Sequence, residues 1–156
     1  MKSVIIYISE SSRAMAEQLR GELGFELFAK GEGSYSALLK ENWPQLDNVV
    51  FIGAMGICVR AIAPLLKSKY EDPAVVCIPS GGQFVIPVVS GHIGGANDLA
   101  RRIAGIIGAQ AVVTTQSDGE GLWALDTLSA RFGWAVEATP AAMNRAIIRT
   151  ASRGRG

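Results

Sequence analysis

Histidine is nearly missing from this 156-residue chain, which has one, His92. A zinc site built on paired histidines is therefore excluded, and no HExxH occurs. Cysteine is scarce too. Cys58 and Cys77 lie in separate apolar runs without CxxC spacing, which excludes a disulfide framework or a zinc knuckle. Charged residues make up only 19%, and 15 Lys and Arg against 14 Asp and Glu leave a net charge of +1. Three of those basic groups, Arg149, Arg153 and Arg155, fall in the last eight residues. The remaining body is slightly acidic, which argues against nucleic acid as a partner. No apolar run is long: Phe51 to Val59 is interrupted by two glycines and falls well short of the roughly 18 residues of a membrane span. The opening residues, one Lys, a short Val4–Ile8 run and then Ser-Glu-Ser-Ser-Arg, do not resemble a signal peptide. With no GxxxxGK[ST], a P-loop nucleotidase is excluded as well. The expectation is a reduced, soluble, cytoplasmic domain with no membrane contact.

What the chain has is apolar content, 49%, and 18 glycines, enough to bury a substantial core and too apolar for disorder. Strand and helix patterns alternate along it. Val4–Ile8, Val49–Ile52 and Ala74–Ile78 are β-branched runs that read as buried strands, with Phe25–Phe28 a weaker one. Pro79–Gly82 reads as a turn into a second run, Phe84–Val89, so these two form a hairpin. Helices are predicted after Ser11 or Ser12, around Ala37–Leu39, after Gly56 until Pro64, and from Ala96 to Ile107, where Gly108 is the stop. Further on, a strand over Ala111–Thr115, a helix over Leu122–Phe132, a short strand over Trp134–Val136 and a helix opened by Thr139-Pro140 are expected. The fold class is α/β: an open, mostly parallel twisted sheet with helices on both faces and one inserted β-hairpin. Residues 1–150 read as one domain, or as two small lobes over 1–48 and 49–138, and 151–156 as a flexible tail. Ligands in such sheets sit beyond the carboxyl ends of the strands, and chain order places the glycines after Ile52, Ile78 and Val89 all at that edge.

Two segments carry chemistry. Gly53-Ala-Met-Gly-Ile-Cys-Val-Arg60 is a strand, a glycine turn and a helix start, able to hold an anion on exposed N–H groups with Arg60 adding a bidentate contact. It reads equally as a tight turn with Arg60 solvated. Ser90-Gly-His-Ile-Gly-Gly-Ala-Asn97 gathers three glycines, the only histidine, a hydroxyl and an amide at a strand-to-helix junction. His92 there is a natural proton shuttle and glycine N–H groups could hold an oxyanion. The alternative is a junction capped by Asn97 or Ser90 with a merely satisfied histidine. Ser90 is not set in GxSxG, so it is a poor nucleophile. Thr114-Thr-Gln-Ser-Asp118 either lines the same cleft or caps a helix. Gly119-Glu-Gly-Leu-Trp-Ala124 has the form GxGxxA of a nucleotide-binding turn, but Asp118 and Glu120 would repel a pyrophosphate.

These residues resemble a known family. Gly53–Lys67 with Asp72-Pro-Ala-Val-Val76 is similar to one signature of the cobalamin-biosynthesis protein CbiG family. Phe84–Arg102, containing the Ser90–Asn97 junction, is similar to a second, and Val113-Thr-Thr-Gln-Ser-Asp118 to a third. The hairpin Cys77–Gly82 departs from that family's pattern in lacking acidic residues. The resemblance implies a cobalt-precorrin-5A hydrolase, which opens the ring-A δ-lactone of a cobalt corrinoid and releases acetaldehyde. It implies no cofactor, since cobalt enters as part of the substrate, and as partner a separate C-terminal domain or other cobalamin-pathway enzymes. Gly53, Met55, Gly56, Arg60, Ser90, Gly91, Gly94, Gly95, Asn97 and Thr115 are then the expected substrate-binding residues. His92 is the expected base towards water, or an axial contact to cobalt, with the Gly94 and Gly95 amides on the oxyanion. Asp98 or Asp118 is the expected second base.

Overall fold

A computed structural model describes residues 1–29 and 31–115. The elements in chain order are β1 (Ser3–Tyr7), α1 (Arg13–Leu23), β2 (Glu26–Phe28), α2 (Tyr35–Asn42), β3 (Asn48–Ile52), α3 (Met55–Ile62), β4 (Ala74–Ile78), β5 (Phe84–Val89), α4 (Ala96–Ile107) and β6 (Gln110–Ala111). Residues 1–113 form one compact unit and 114–156 a second. Asp118, the Gly119–Ala124 turn, the later helices and strand, and the tail lie outside the described residues, so those expectations find no structure here.

The six strands form one sheet in the order β2-β1-β3-β4-β5-β6. Residue 48, a lobe boundary in the sequence reading, opens β3, which pairs with β1 along its length. All pairings are parallel except β4 with β5. Expectations of an α/β fold with a mostly parallel sheet and an inserted hairpin are therefore met.

Alternation along the central strands builds two cores. Ile5, Tyr7, Val50, Ile52, Val76 and Ile78 face α1 and α4 on one side. Val4, Ile6, Val49, Phe51, Val75 and Cys77 face α2 and α3 on the other. Burial on both faces explains why these strands read as continuous apolar runs. α4 shows the amphipathic logic most clearly, since Ala96, Leu99, Ala100, Ile103 and Ala104 are its buried stripe. It stops where expected, at Gly108 with φ 70°. Pro64 also acts as expected: α3 ends at Ile62 and a 3-10 turn carries Ala63–Leu65. The strand expected over Ala111–Thr115 is shorter, Gln110–Ala111, although Val112 N–H still donates to Val85 O at 2.9 Å.

The hairpin has a consequence for the site. β5 runs against β4, so its carboxyl end lies beside the amino ends of β1, β3 and β4. The glycines after β3 and β4 are at one end of the sheet, while Ser90–Gly95 are at the other. A five-residue strand separates them by about 16 Å. The expectation that all glycine turns share one edge is corrected on this ground: only β1, β2, β3 and β4 deliver their carboxyl ends there.

Candidate functional site

At the carboxyl end of β3, Gly53 continues the ladder through its N–H to Ile78 O at 2.9 Å. A Cβ at Gly53 would meet Ile8 Cδ1 at 2.7 Å, so a larger residue here requires the Ile8 side chain to move. α3 then starts without a side-chain cap at Ala54. Met55 is half-buried, Gly56 is exposed with open space beside it, and Arg60 is exposed on the last turn of α3. These four expected binding residues thus sit apart from the histidine.

The opposite end holds the Ser90–Asn97 junction, where the backbone folds back on itself. Ser90 has φ 60°, unusual for a residue with a side chain, and Gly95 has φ 83°. Gly95 N–H donates to His92 O at 3.2 Å, Ala96 N–H to Ser90 O at 3.0 Å and Asn97 N–H to Gly91 O at 3.1 Å. The first amides of α4 are thereby satisfied by backbone carbonyls, not by an Asn97 or Ser90 side chain. Of the two amides expected at an oxyanion, Gly95 is engaged inside the loop. Among the described residues no carbonyl takes the Gly94 N–H.

Burial adds to this rigidity. Ser90 and Asn97 are both buried. A Cβ on Gly94 would lie 2.5 Å from Ser90 Cβ and 2.9 Å from Ser90 O, and one on Gly91 would lie 2.8 Å from Asn97 Oδ1. Close packing within the junction therefore accounts for Gly91 and Gly94. His92 and Ile93 point outward and are exposed. His92 makes no side-chain hydrogen bond within the described residues. Asp98 is exposed on the first turn of α4 and pairs with Arg101 at 3.3 Å. Thr115 is exposed and belongs to the second unit.

A residue that sequence reasoning missed fixes the junction in place. Asp72 is 9% exposed, and its carboxylate accepts from Lys67 N–H at 2.9 and 3.0 Å and from Trp43 Nε1–H at 3.1 Å. Its carbonyl accepts from Ser90 Oγ at 3.1 Å. Asp72 thus ties the 66–73 loop to the Trp43 turn and to the histidine junction. Ser90, expected to touch substrate, instead gives its hydroxyl to this anchor.

Between the two loops lies a cleft of about 340 Å³, lined by residues that include Asp47, Lys69, Tyr70, Glu71, Ile93 and Gly94. His92 adjoins it in sequence. Among the described residues no group of three or more His, Cys, Asp or Glu could hold a metal ion, and no helix is long and apolar enough to cross a membrane. The other expected reacting groups are dispersed: Asp98 faces solvent and Asp118 lies outside the described residues.

Several known proteins are similar to this chain. The family model described as Cobalamin synthesis G N-terminal matches residues 37–118. A cobalt-precorrin-5A hydrolase of Salmonella typhimurium is 46% identical over 114 residues, covering 73% of this chain and 31% of that protein. The cobalt-precorrin-5A hydrolase of Priestia megaterium is 45% identical over 105 residues, covering 67% and 28%. This chain therefore spans about a third of the length of these relatives. A crystal structure of a cobalamin biosynthesis protein G homologue from Sulfolobus solfataricus aligns with TM-score 0.61 and 30% identity, over 72% of this chain and 36% of that one. With the model covering both the anchored loop and the histidine junction, the chain belongs to the Cobalamin synthesis G N-terminal family.

Proposed function

We propose that this chain acts in cobalamin biosynthesis on cobalt-precorrin-5A, opening the ring-A δ-lactone with release of acetaldehyde. The carrying observation is the Ser90–Asn97 junction, a self-bonded loop anchored through Asp72 that holds an exposed His92 next to a cleft. A self-bonded loop presenting one exposed imidazole, a side chain able to accept a proton, suits general base catalysis. The neutral imidazole takes a proton from water as the water oxygen attacks the lactone carbonyl carbon. The Gly94 N–H supports the oxyanion. Collapse breaks the ring C–O bond and the imidazolium returns its proton to the departing oxygen, leaving a carboxylic acid and a free hydroxyl. Removing that hydroxyl's proton then forms the carbonyl of acetaldehyde. The broken C–C bond leaves its electron pair in the conjugated macrocycle, which takes up a proton. Asp98 or Asp118 is the base for this second stage. Cobalt enters as part of the substrate, and no separate cofactor is invoked. The two free thiols suit a reducing compartment such as the cytoplasm.

One observation favours a second reading. His92 has no orienting partner among the described residues, whereas a general base is usually fixed by a third group. The chain would then be a tetrapyrrole-binding lobe, with reacting groups supplied by a separate C-terminal domain. Incubating the purified chain with cobalt-precorrin-5A, while following absorbance and acetaldehyde, separates the two. Under the hydrolase reading the chain releases acetaldehyde and His92→Ala slows release by about 10²–10⁴-fold with the absorbance shift on binding retained. Unchanged turnover in His92→Ala overturns the general-base role, and binding without product moves the chain to the second reading.

A further inference from the structure

We infer that the cleft at the amino ends of the parallel strands seats one edge of the macrocycle, with Tyr70 as a stacking face and Lys69 as the cation for a peripheral carboxylate. This rests on the reading that the substrate is a flat, carboxylate-rimmed corrinoid. Tyr70, at 71% exposure, and Ile93, at 61%, are the two most exposed large apolar side chains among the described residues, and both line this one cleft. Tyr70 comes from the 66–73 loop and Ile93 from the histidine junction, so a flat ring is offered apolar surface from both loops. Such surface, when contiguous, marks a binding site.

Charge narrows the orientation. Lys69 Nζ lies 5.3 Å from the Tyr70 ring centroid, and no carboxylate among the described residues pairs with it. The neighbouring acids are held by neutral donors and keep their charge: Asp72 accepts from the Lys67 backbone N–H and the Trp43 indole, and Glu71 accepts from Ser68 Oγ at 3.4 Å. Lys69 is the cation this cleft offers to a ligand carboxylate, while Asp47, Glu71 and Asp72 discourage a second one. At about 340 Å³ the cleft is at the small end of ligand sites, too small to enclose a whole corrinoid. It takes one pyrrole-derived ring with its side chain, and the rest of the macrocycle lies outside it. The walls are prefixed by Asp72 and Ser90, so little ordering opposes binding.

The test is an anaerobic absorbance titration of the full chain with cobalt-precorrin-5A at low and high salt, in wild type, Tyr70→Ala, Tyr70→Phe and Lys69→Met. Thermal unfolding of each variant first confirms a native fold, as expected for exposed positions. Tyr70→Ala should raise Kd about tenfold while Tyr70→Phe retains wild-type affinity, because the ring is what stacks. Lys69→Met should raise Kd several-fold at low salt and much less at high salt. If wild type binds and both Tyr70→Ala and Lys69→Met bind equally well, this seat is wrong while the corrinoid reading stands. If wild type gives no shift at any concentration, the corrinoid reading itself fails, and the seat with it.

Discussion

Glycines that look alike in the sequence have different reasons to be there. Gly94 faces the Ser90 carbonyl, a backbone atom that has no rotamer with which to yield. Gly56 faces open space on the first turn of α3. Gly94→Ala should therefore force the junction apart and destabilise the protein by about 1–3 kcal/mol. Gly56→Ala should be neutral or stabilising by up to about 0.5–1 kcal/mol, through helix propensity and a less flexible unfolded chain. Urea unfolding midpoints of the two variants check this, and an equal loss in both would refute the assignment. The glycine-rich motif thus reveals where the backbone is tight, but the atom that makes it tight comes from elsewhere in the fold. His92 was legible as the exceptional side chain because it is the only one of its kind, and the structure does leave it exposed.

Legibility at the level of elements follows the locality of the signal. β1, β3, β4 and α4 show in the sequence because burial on both faces, or on one helical stripe, writes a repeating pattern. The Pro79–Gly82 turn announces the hairpin as well. What a local pattern does not show is that reversing β5 carries the histidine junction to the far end of the sheet from Gly53. Nor does it show Asp72. In sequence Asp72 stands only as part of a signature with no role of its own, and Trp43, its indole partner, is 29 residues away. The one local hint is the proline that follows Asp72 and precedes a strand. Removing this anchor leaves the Trp43 indole N–H and the Lys67 amide without their acceptor. Asp72→Ala should then cost about 2–4 kcal/mol in urea unfolding, since stranding a buried donor forfeits more than the bond itself. A double-mutant cycle with Trp43→Phe isolates the indole bond and should give a coupling of about 1 kcal/mol. Zero coupling would show that the indole contact contributes nothing to the anchor.

Across the whole molecule the two faces of the sheet do different work. The histidine junction leads into α4 on one face, whereas α3 is fastened on the other by two neighbouring thiols. Cys58 on α3 and Cys77 on β4 are both fully buried, and Cys77 Sγ also donates to Gly53 O at 3.3 Å. The hydrogen bond to Cys77, followed by burial, pushes the Cys58 thiol far above its ordinary 9.0. The same bond pulls Cys77 below its ordinary value, with burial opposing. These opposite shifts act in different pH ranges. Cys77, depressed on folding, adds stability that grows as pH rises towards 9 and is constant beyond it. Cys58 acts above 9, where the unfolded thiol has lost its proton and the folded one has kept it. The unfolded state then binds fewer protons, so stability falls with rising pH. Urea midpoints between pH 8 and pH 11 should show that decline in the native sequence. The Cys58→Ala/Cys77→Ala variant should begin less stable, because two buried sulfurs are lost, yet decline less steeply above pH 9. Every other group is common to both proteins, so only the difference between the two slopes reports on the thiol pair. Parallel slopes would mean that the thiol pair does not link α3 to the sheet in this way.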